Sequence, residues 1–173
     1  MTVHWIQTYT GKRFFPLDPR AEDLDIRDIA HSLSLLCRFN GHCSTFYSVA
    51  EHSVRVSKTL PQEQALWGLL HDAGEAYLTD LPRPVKTQLV FYRDLEESLL
   101  QVVARRYQLE WPMPPAIETA DLTLLATEAR DLMAPPPCSW ELDATPLHES
   151  IEPWSSEIAE QRFLDRFAEL KSR

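Results

Sequence analysis

The sequence predicts an all-α helical bundle carrying a short N-terminal β-hairpin. Three observations lead there. Apolar residues recur at three- and four-residue intervals in successive stretches, Pro, Gly and Asn punctuate the gaps between them, and the one β-favouring run is short and lies at the start. With 173 residues the chain reads as a single domain over 1–173, with a hairpin arm at 1–17 and a surface loop at 138–153. A chain of about this length can bury roughly two thirds of its unfolded surface, enough for one real core.

Taken in order, Trp5 to Tyr9 and Lys12 to Phe15 are β-favouring runs joined at Thr10-Gly11, which predicts a hairpin. From Asp25 to Leu36, apolar positions 26, 29, 33 and 36 fall on one helical face. Asn40-Gly41 marks a turn before a second helical stretch, Phe46 to Val56, and Pro61 separates that from the next. Leu66 to Asp80 reads as one helix that ends before Leu81-Pro82, since the proline disfavours helical geometry at the preceding residue.

Val85 to Tyr107 predicts a long helix with Leu89, Leu95, Leu99, Leu100, Val103 and Ala104 as its buried stripe. Trp111 to Pro115 is a stiff connector, Ile117 to Met133 a helix closed by Pro135-Pro136-Pro137, and Ser155 to Leu170 a last amphipathic helix.

A net charge of −9 argues against general affinity for nucleic acid or anionic membranes, so any basic patch must be local. Cys37, Cys43 and Cys138 lack metal-finger spacing and read as reduced thiols of a cytoplasmic protein. No apolar run approaches the ~20 residues of a membrane span. Basic residues are scattered, without an aromatic-basic recognition motif.

The chemistry concentrates in Leu66 to Asp80, where His71, Asp72, Glu75 and Asp80 interrupt an apolar run. Helical neighbours differ by about 100°, so His71 and Asp72 can lean over one ion, with Glu75 on the same surface. Two imidazoles and two carboxylates suit one divalent transition ion, such as Mn, Fe, Co, Ni or Zn, and so few protein ligands leave positions open for water and substrate. The candidate ligands are His52, His71, Asp72 and Asp121.

The order Glu51-His52-Ser53, then His71-Asp72-Ala73-Gly74-Glu75 with Asp80-Leu81-Pro82-Arg83-Pro84-Val85-Lys86, then Ala120-Asp121, resembles the HD-domain metal-dependent phosphohydrolases. It is most similar to the small branch of bacterial 5′-deoxynucleotidases and phage deoxynucleoside triphosphate phosphohydrolases. The resemblance runs from the hairpin through Met133 and implies an HD-type bundle in a bacterial or phage-infected host cytosol. It also implies one divalent cation on His52, His71, Asp72 and Asp121, with Glu75 and Asp80 as the proton-handling carboxylates.

Arg38 and Lys86 are the implied phosphate contacts, a planar fork of donors and a cation early in a helix. Arg38 has a competing reading as the partner of Glu128, which lies seven residues beyond Asp121 on the same helical face. His42 reads as a contact to a second metal or a longer phosphate chain, and equally as part of a structural turn. Trp67 and Tyr77 read as core aromatics.

The resulting expectation is a metal-dependent nucleotide phosphohydrolase acting on (deoxy)nucleoside 5′-monophosphates. One alternative is release of triphosphate from deoxynucleoside triphosphates such as dATP. Another, of a different class, is a catalytically silent metal- and nucleotide-binding regulatory module. Cyclic dinucleotide cleavage is disfavoured by the absence of that branch's Gly-Tyr-Pro signature. The expected partner is a small nucleotide, without membrane or general nucleic-acid binding, and homo-oligomerisation stays open.

Overall fold

The computed structural model describes residues 4–172; positions 1–3 of the hairpin arm lie outside them. The protein is mostly helical, with a two-stranded antiparallel hairpin, β1 (Ile6–Gln7) and β2 (Arg13–Phe14), in which Ile6 pairs with Phe14. So short a ribbon is not stable alone. It is held by Phe14, fully buried and stacked on Tyr77 at 4.0 Å, and by Asp28, which accepts from the Thr10 backbone N–H and hydroxyl.

The helices are α1 (Ile26–Leu35), α2 (Val49–Thr59), α3 (Gln62–Leu70), α4 (Glu75–Leu78), α5 (Arg83–Lys86), α6 (Val90–Tyr107), α7 (Pro115–Leu132) and α8 (Ser156–Lys171). Asp25, Ser48 and Ser155 cap α1, α2 and α8, each side chain accepting from a first-turn backbone N–H. Leu33, Val54, Leu69, Leu99 and Phe163 belong to a main core drawn from α1, α2, α3, α6 and α8. Trp67 and Tyr77 are buried, as core aromatics should be.

Two expected helices are broken. The single helix over Leu66 to Asp80 is instead α3, a turn at positions 71–74, and α4. Across the turn the backbone tightens to three-residue hydrogen bonds, Ala73 N–H to Leu70 O and Glu75 N–H to Asp72 O, and Gly74 adds little helix propensity. Helix α4 also stops earlier than Pro82 requires, because Thr79 turns left-handed at φ 76° while donating to Glu75 O.

The stretch Val85 to Tyr107 divides into α5 and α6 at Thr87 to Leu89. Leu89 is therefore 44% exposed rather than part of the buried stripe, and Leu95 and Leu100 are half-buried, whereas Leu99, Val103 and Ala104 are buried as expected. No described helix is long and apolar enough to cross a membrane.

Candidate metal centre and its cleft

Two helices and one turn bring the candidate ligands together. His52 projects from the middle of α2, His71 and Asp72 from the turn after α3, and Asp121 from α7. His52 Nε2 lies 3.3 Å from His71 Nε2, 3.7 Å from Asp72 Oδ2 and 3.1 Å from Asp121 Oδ1, and His71 Nε2 lies 3.3 Å from Asp72 Oδ2. Ligands about 2.1 Å from one ion stand roughly 3.0–3.5 Å apart in octahedral or tetrahedral arrangement. Three of the four observed spacings fall in that range, and the His52–Asp72 pair at 3.7 Å lies just beyond it. His52, His71 and Asp72 form a group whose ligand atoms all lie within 4.8 Å of one another and can hold a metal ion.

Hydrogen bonds on the rear nitrogens explain why both imidazoles present lone pairs to the same point. His71 Nδ1–H donates to Gly68 O at 2.8 Å, and His52 Nδ1–H donates to Glu128 Oε1 at 2.6 Å. In the neutral ring each Nε2 is thereby left as the acceptor. Two buried acceptors and two carboxylates around one point call for a cation between them.

The surrounding charges divide into two kinds. Burial pushes Asp72 and Asp121 upward, but the imidazoles outweigh it: Asp72 ends well below the usual carboxylate range and Asp121 at about 2. Glu75 and Asp80 move the other way. Burial raises both, reinforced at Glu75 by Asp72 and Asp80 and at Asp80 by Asp72. Glu75 is only 6% exposed, and its Oε2 has no hydrogen-bond partner. Carboxylates kept ionised thus face the metal position while two carboxyls with raised proton affinity stand nearby, a division suited to proton transfer beside a charged centre.

Arg38, His42, Asp72, Glu75, Asp80, Lys86 and Asp121 all line one cleft of about 820 Å³. His52 and His71 sit beneath its floor. Arg38 makes the Glu128 pairing weighed against substrate contact: its Nε and Nη2 lie 3.1 and 3.0 Å from Glu128 Oε2, while Nη1 lies 3.8 Å from Asp72. Lys86 bonds Glu96 Oε1 at 2.7 Å and lies 3.8 Å from Glu75 Oε1. His42 is exposed at the rim, after a bend in which Phe39, Asn40 and Gly41 all take positive φ, 56°, 50° and 78°. The two non-glycine residues cost roughly 1–3 kcal/mol each in such a conformation. The bend directs Arg38 to the floor and His42 to the mouth.

The cleft also contains residues that sequence reasoning missed. Arg83 stands at its edge, with Nη2 3.9 Å from Asp121 Oδ2. Its signal was its place in Leu81-Pro82-Arg83-Pro84, directly after Asp80. Trp140 and Leu142 line the cleft from the segment at 138–153, so that segment is more than surface loop. Thr127, Arg130 and Asp131 of α7 tie it down: Leu147 N–H donates to Thr127 Oγ1, Arg130 donates to Glu149 O, and Ile151 N–H donates to Asp131 Oδ2, each at 2.9 Å. Aperiodic sequence conceals these tertiary bonds.

No protein-family model matches the chain. It is 41% identical over 171 residues to the uncharacterized protein YfdR of Escherichia coli (strain K12), an alignment spanning 97% of this chain and 96% of YfdR. It is 34% identical over 142 residues to the uncharacterized protein RCAP_rcc00048 of Rhodobacter capsulatus, spanning 74% of this chain and 72% of that protein.

Proposed function

This chain belongs to the same family as YfdR of E. coli, and we propose that it is an HD-type phosphohydrolase that releases phosphate from (deoxy)nucleoside 5′-monophosphates with one bound divalent ion. The observation that carries this reading is the 3.3 Å approach of His52 Nε2 and His71 Nε2, with both Nδ1 atoms engaged elsewhere. Asp72 and Asp121 complete the donor set, whose nitrogen-and-oxygen chemistry fits Mn, Fe, Co, Ni or Zn. When bound, such an ion supplies Lewis-acid polarisation of a phosphoryl oxygen and a nucleophilic water near neutral pH.

The remaining work falls to the chain's own side chains. Arg38 Nη1, not taken up by Glu128, offers donors to phosphate oxygens at the cleft floor. Lys86 and Arg83 add positive charge along one wall. Glu75, the more buried carboxyl and the one with an unpartnered oxygen, is suited to donate a proton to the leaving oxygen. Asp80, half-buried in the same cleft, is suited to accept the proton of the attacking water. Phe39, Trp140 and Leu142 offer apolar surface to a nucleoside.

A second reading, triphosphate release from deoxynucleoside triphosphates, is favoured by Arg83 and His42, cationic or protonatable groups beyond what one phosphate needs. Protein supplied with Mn or Co and offered a panel of deoxynucleoside mono- and triphosphates separates the two by the product formed. The leading reading expects phosphate from monophosphates, falling about 100-fold or more in Glu75→Ala. Equal release by both proteins removes the catalytic assignment, and metal and nucleotide binding without turnover supports a regulatory module.

A further inference from the structure

The formal net charge is −9, yet four cations cluster on one face of the α2–α8 pair, away from the cleft lining. Arg55 and Lys58 stand a turn apart on α2, Arg162 and Arg166 a turn apart on α8, and the two helices pack together. Trp154 lies among them. Its ring centroid is 4.1 Å from Arg162 Cζ, 4.9 Å from Arg55 Cζ and 6.0 Å from Lys58 Nζ.

An indole face attracts a cation by about 0.5–1 kcal/mol at exposed sites. Three cations around one ring also repel one another, and internal counter-charge reaches only part of the cluster. Arg55 is held by Glu51 at 2.7 Å, and Arg166 by Glu169 at 2.8 Å and by Ser57. Lys58 and Arg162, both exposed, make no ion pair among the described residues. Partial burial and then Arg162, Arg166 and Arg55 push the Lys58 ammonium down, with Glu169 opposing.

We propose that this cationic face of α2 and α8 is a second anion site, distinct from the metal cleft, that takes the di- or triphosphate group of a small ligand on Lys58 and Arg162, flanked by Arg55 and Arg166. Several cations in two rows match several adjacent negative charges better than one carboxylate, and guanidinium forks suit phosphate oxygens. The acidic remainder of the chain disfavours an extended polyanion such as nucleic acid. The site stands independently of any hydrolytic activity.

Calorimetric titration of sodium triphosphate tests this in metal-free, low-salt buffer, with metal-stripped Arg83→Ala/Lys86→Ala protein so that the cleft contributes little. One triphosphate should bind per chain, and adding Lys58→Ala/Arg162→Ala should weaken it at least about tenfold, because two charge-assisted contacts are lost. Both are exposed side chains, and Lys58→Arg should retain binding. Tighter binding of dATP than of inorganic triphosphate would identify a nucleotide tail as the source of the anion, and the reverse order would identify free polyphosphate. No binding in the cleft-variant background, unchanged affinity once Lys58→Ala/Arg162→Ala is added, or equally tight binding of citrate would overturn the proposal.

Discussion

Glu128 accepts a 2.6 Å hydrogen bond from His52 Nδ1 on one carboxylate oxygen and holds Arg38 Nη2 at 3.0 Å on the other. A single buried group thus sets the tautomer of a candidate metal ligand and the position of a candidate phosphate contact. Glu128→Gln should weaken divalent-ion affinity by about 10–100-fold, the usual scale for losing an outer partner of a ligating imidazole. Competition against a chromophoric chelator measures it; unchanged affinity would mean that His52 needs no such orientation.

Metal-stripped protein should lose stability as pH rises. Burial and Arg38 push the His52 imidazole down, but Glu128 and Asp121 outweigh them and raise it from 6.5 to about 9. A raised folded-state value stabilises fully below 6.5, and the contribution disappears as pH climbs to about 9. A divalent ion displaces the same proton, so its affinity should tighten across that window. Thermal melts with and without Co at several pH values in this range check both signs.

Gly68 lets α2 and α3 approach closely. A Cβ there would clash with Leu60 Cδ1 and stand 3.0 Å from the Ser57 backbone. Gly68→Ala should therefore destabilise despite its better helix propensity, by about 1–3 kcal/mol as overpacking usually does. For a chain of this size that is a fall of roughly 2–4 °C per kcal/mol in the melting temperature. Gly68 O also anchors His71, so metal affinity should drop with it. A calorimetric melt at or above the parent value would contradict the packing argument.

Asp131 holds the segment that carries Trp140 and Leu142 to the cleft. The Arg130 guanidinium is the main reason its carboxyl sits below the usual range, with the Ile151 N–H adding to the effect. A lowered folded-state value stabilises at neutral pH and is lost as acid titrates the group, so the segment should loosen below about pH 4. Asp131→Asn should loosen it at neutral pH, seen as faster proteolytic cleavage within 138–153. Cleavage at the parent rate would assign the anchoring to Thr127 and Arg130.

Local signals carried much of this architecture. The Asp25 to Leu36 periodicity matches α1, the proline and glycine punctuation matches the main boundaries, and His52, His71 and Asp72 form a group that can hold a metal ion, with Asp121 3.1 Å from His52. What escaped depends on contacts distant in sequence. The turn at 71–74 aims His71 and Asp72 by backbone tightening that an unbroken apolar run does not betray. Leu89 looked buried because it continues a stripe, whereas the break before α6 leaves it in solvent. Trp140 reaches the cleft through bonds between an aperiodic segment and α7, and nothing in its neighbours encodes that destination.

In the proposed site, His52, His71, Asp72 and Asp121 close around one divalent ion. Optical titration of metal-stripped protein with Co tests this most directly, since visible absorption reports the nitrogen and oxygen ligands themselves. One Co per chain should bind with a saturating spectrum that is lost in His71→Ala and altered in Asp121→Ala. Absence of a protein-dependent spectrum, or a parent-like spectrum in His71→Ala, would contradict it.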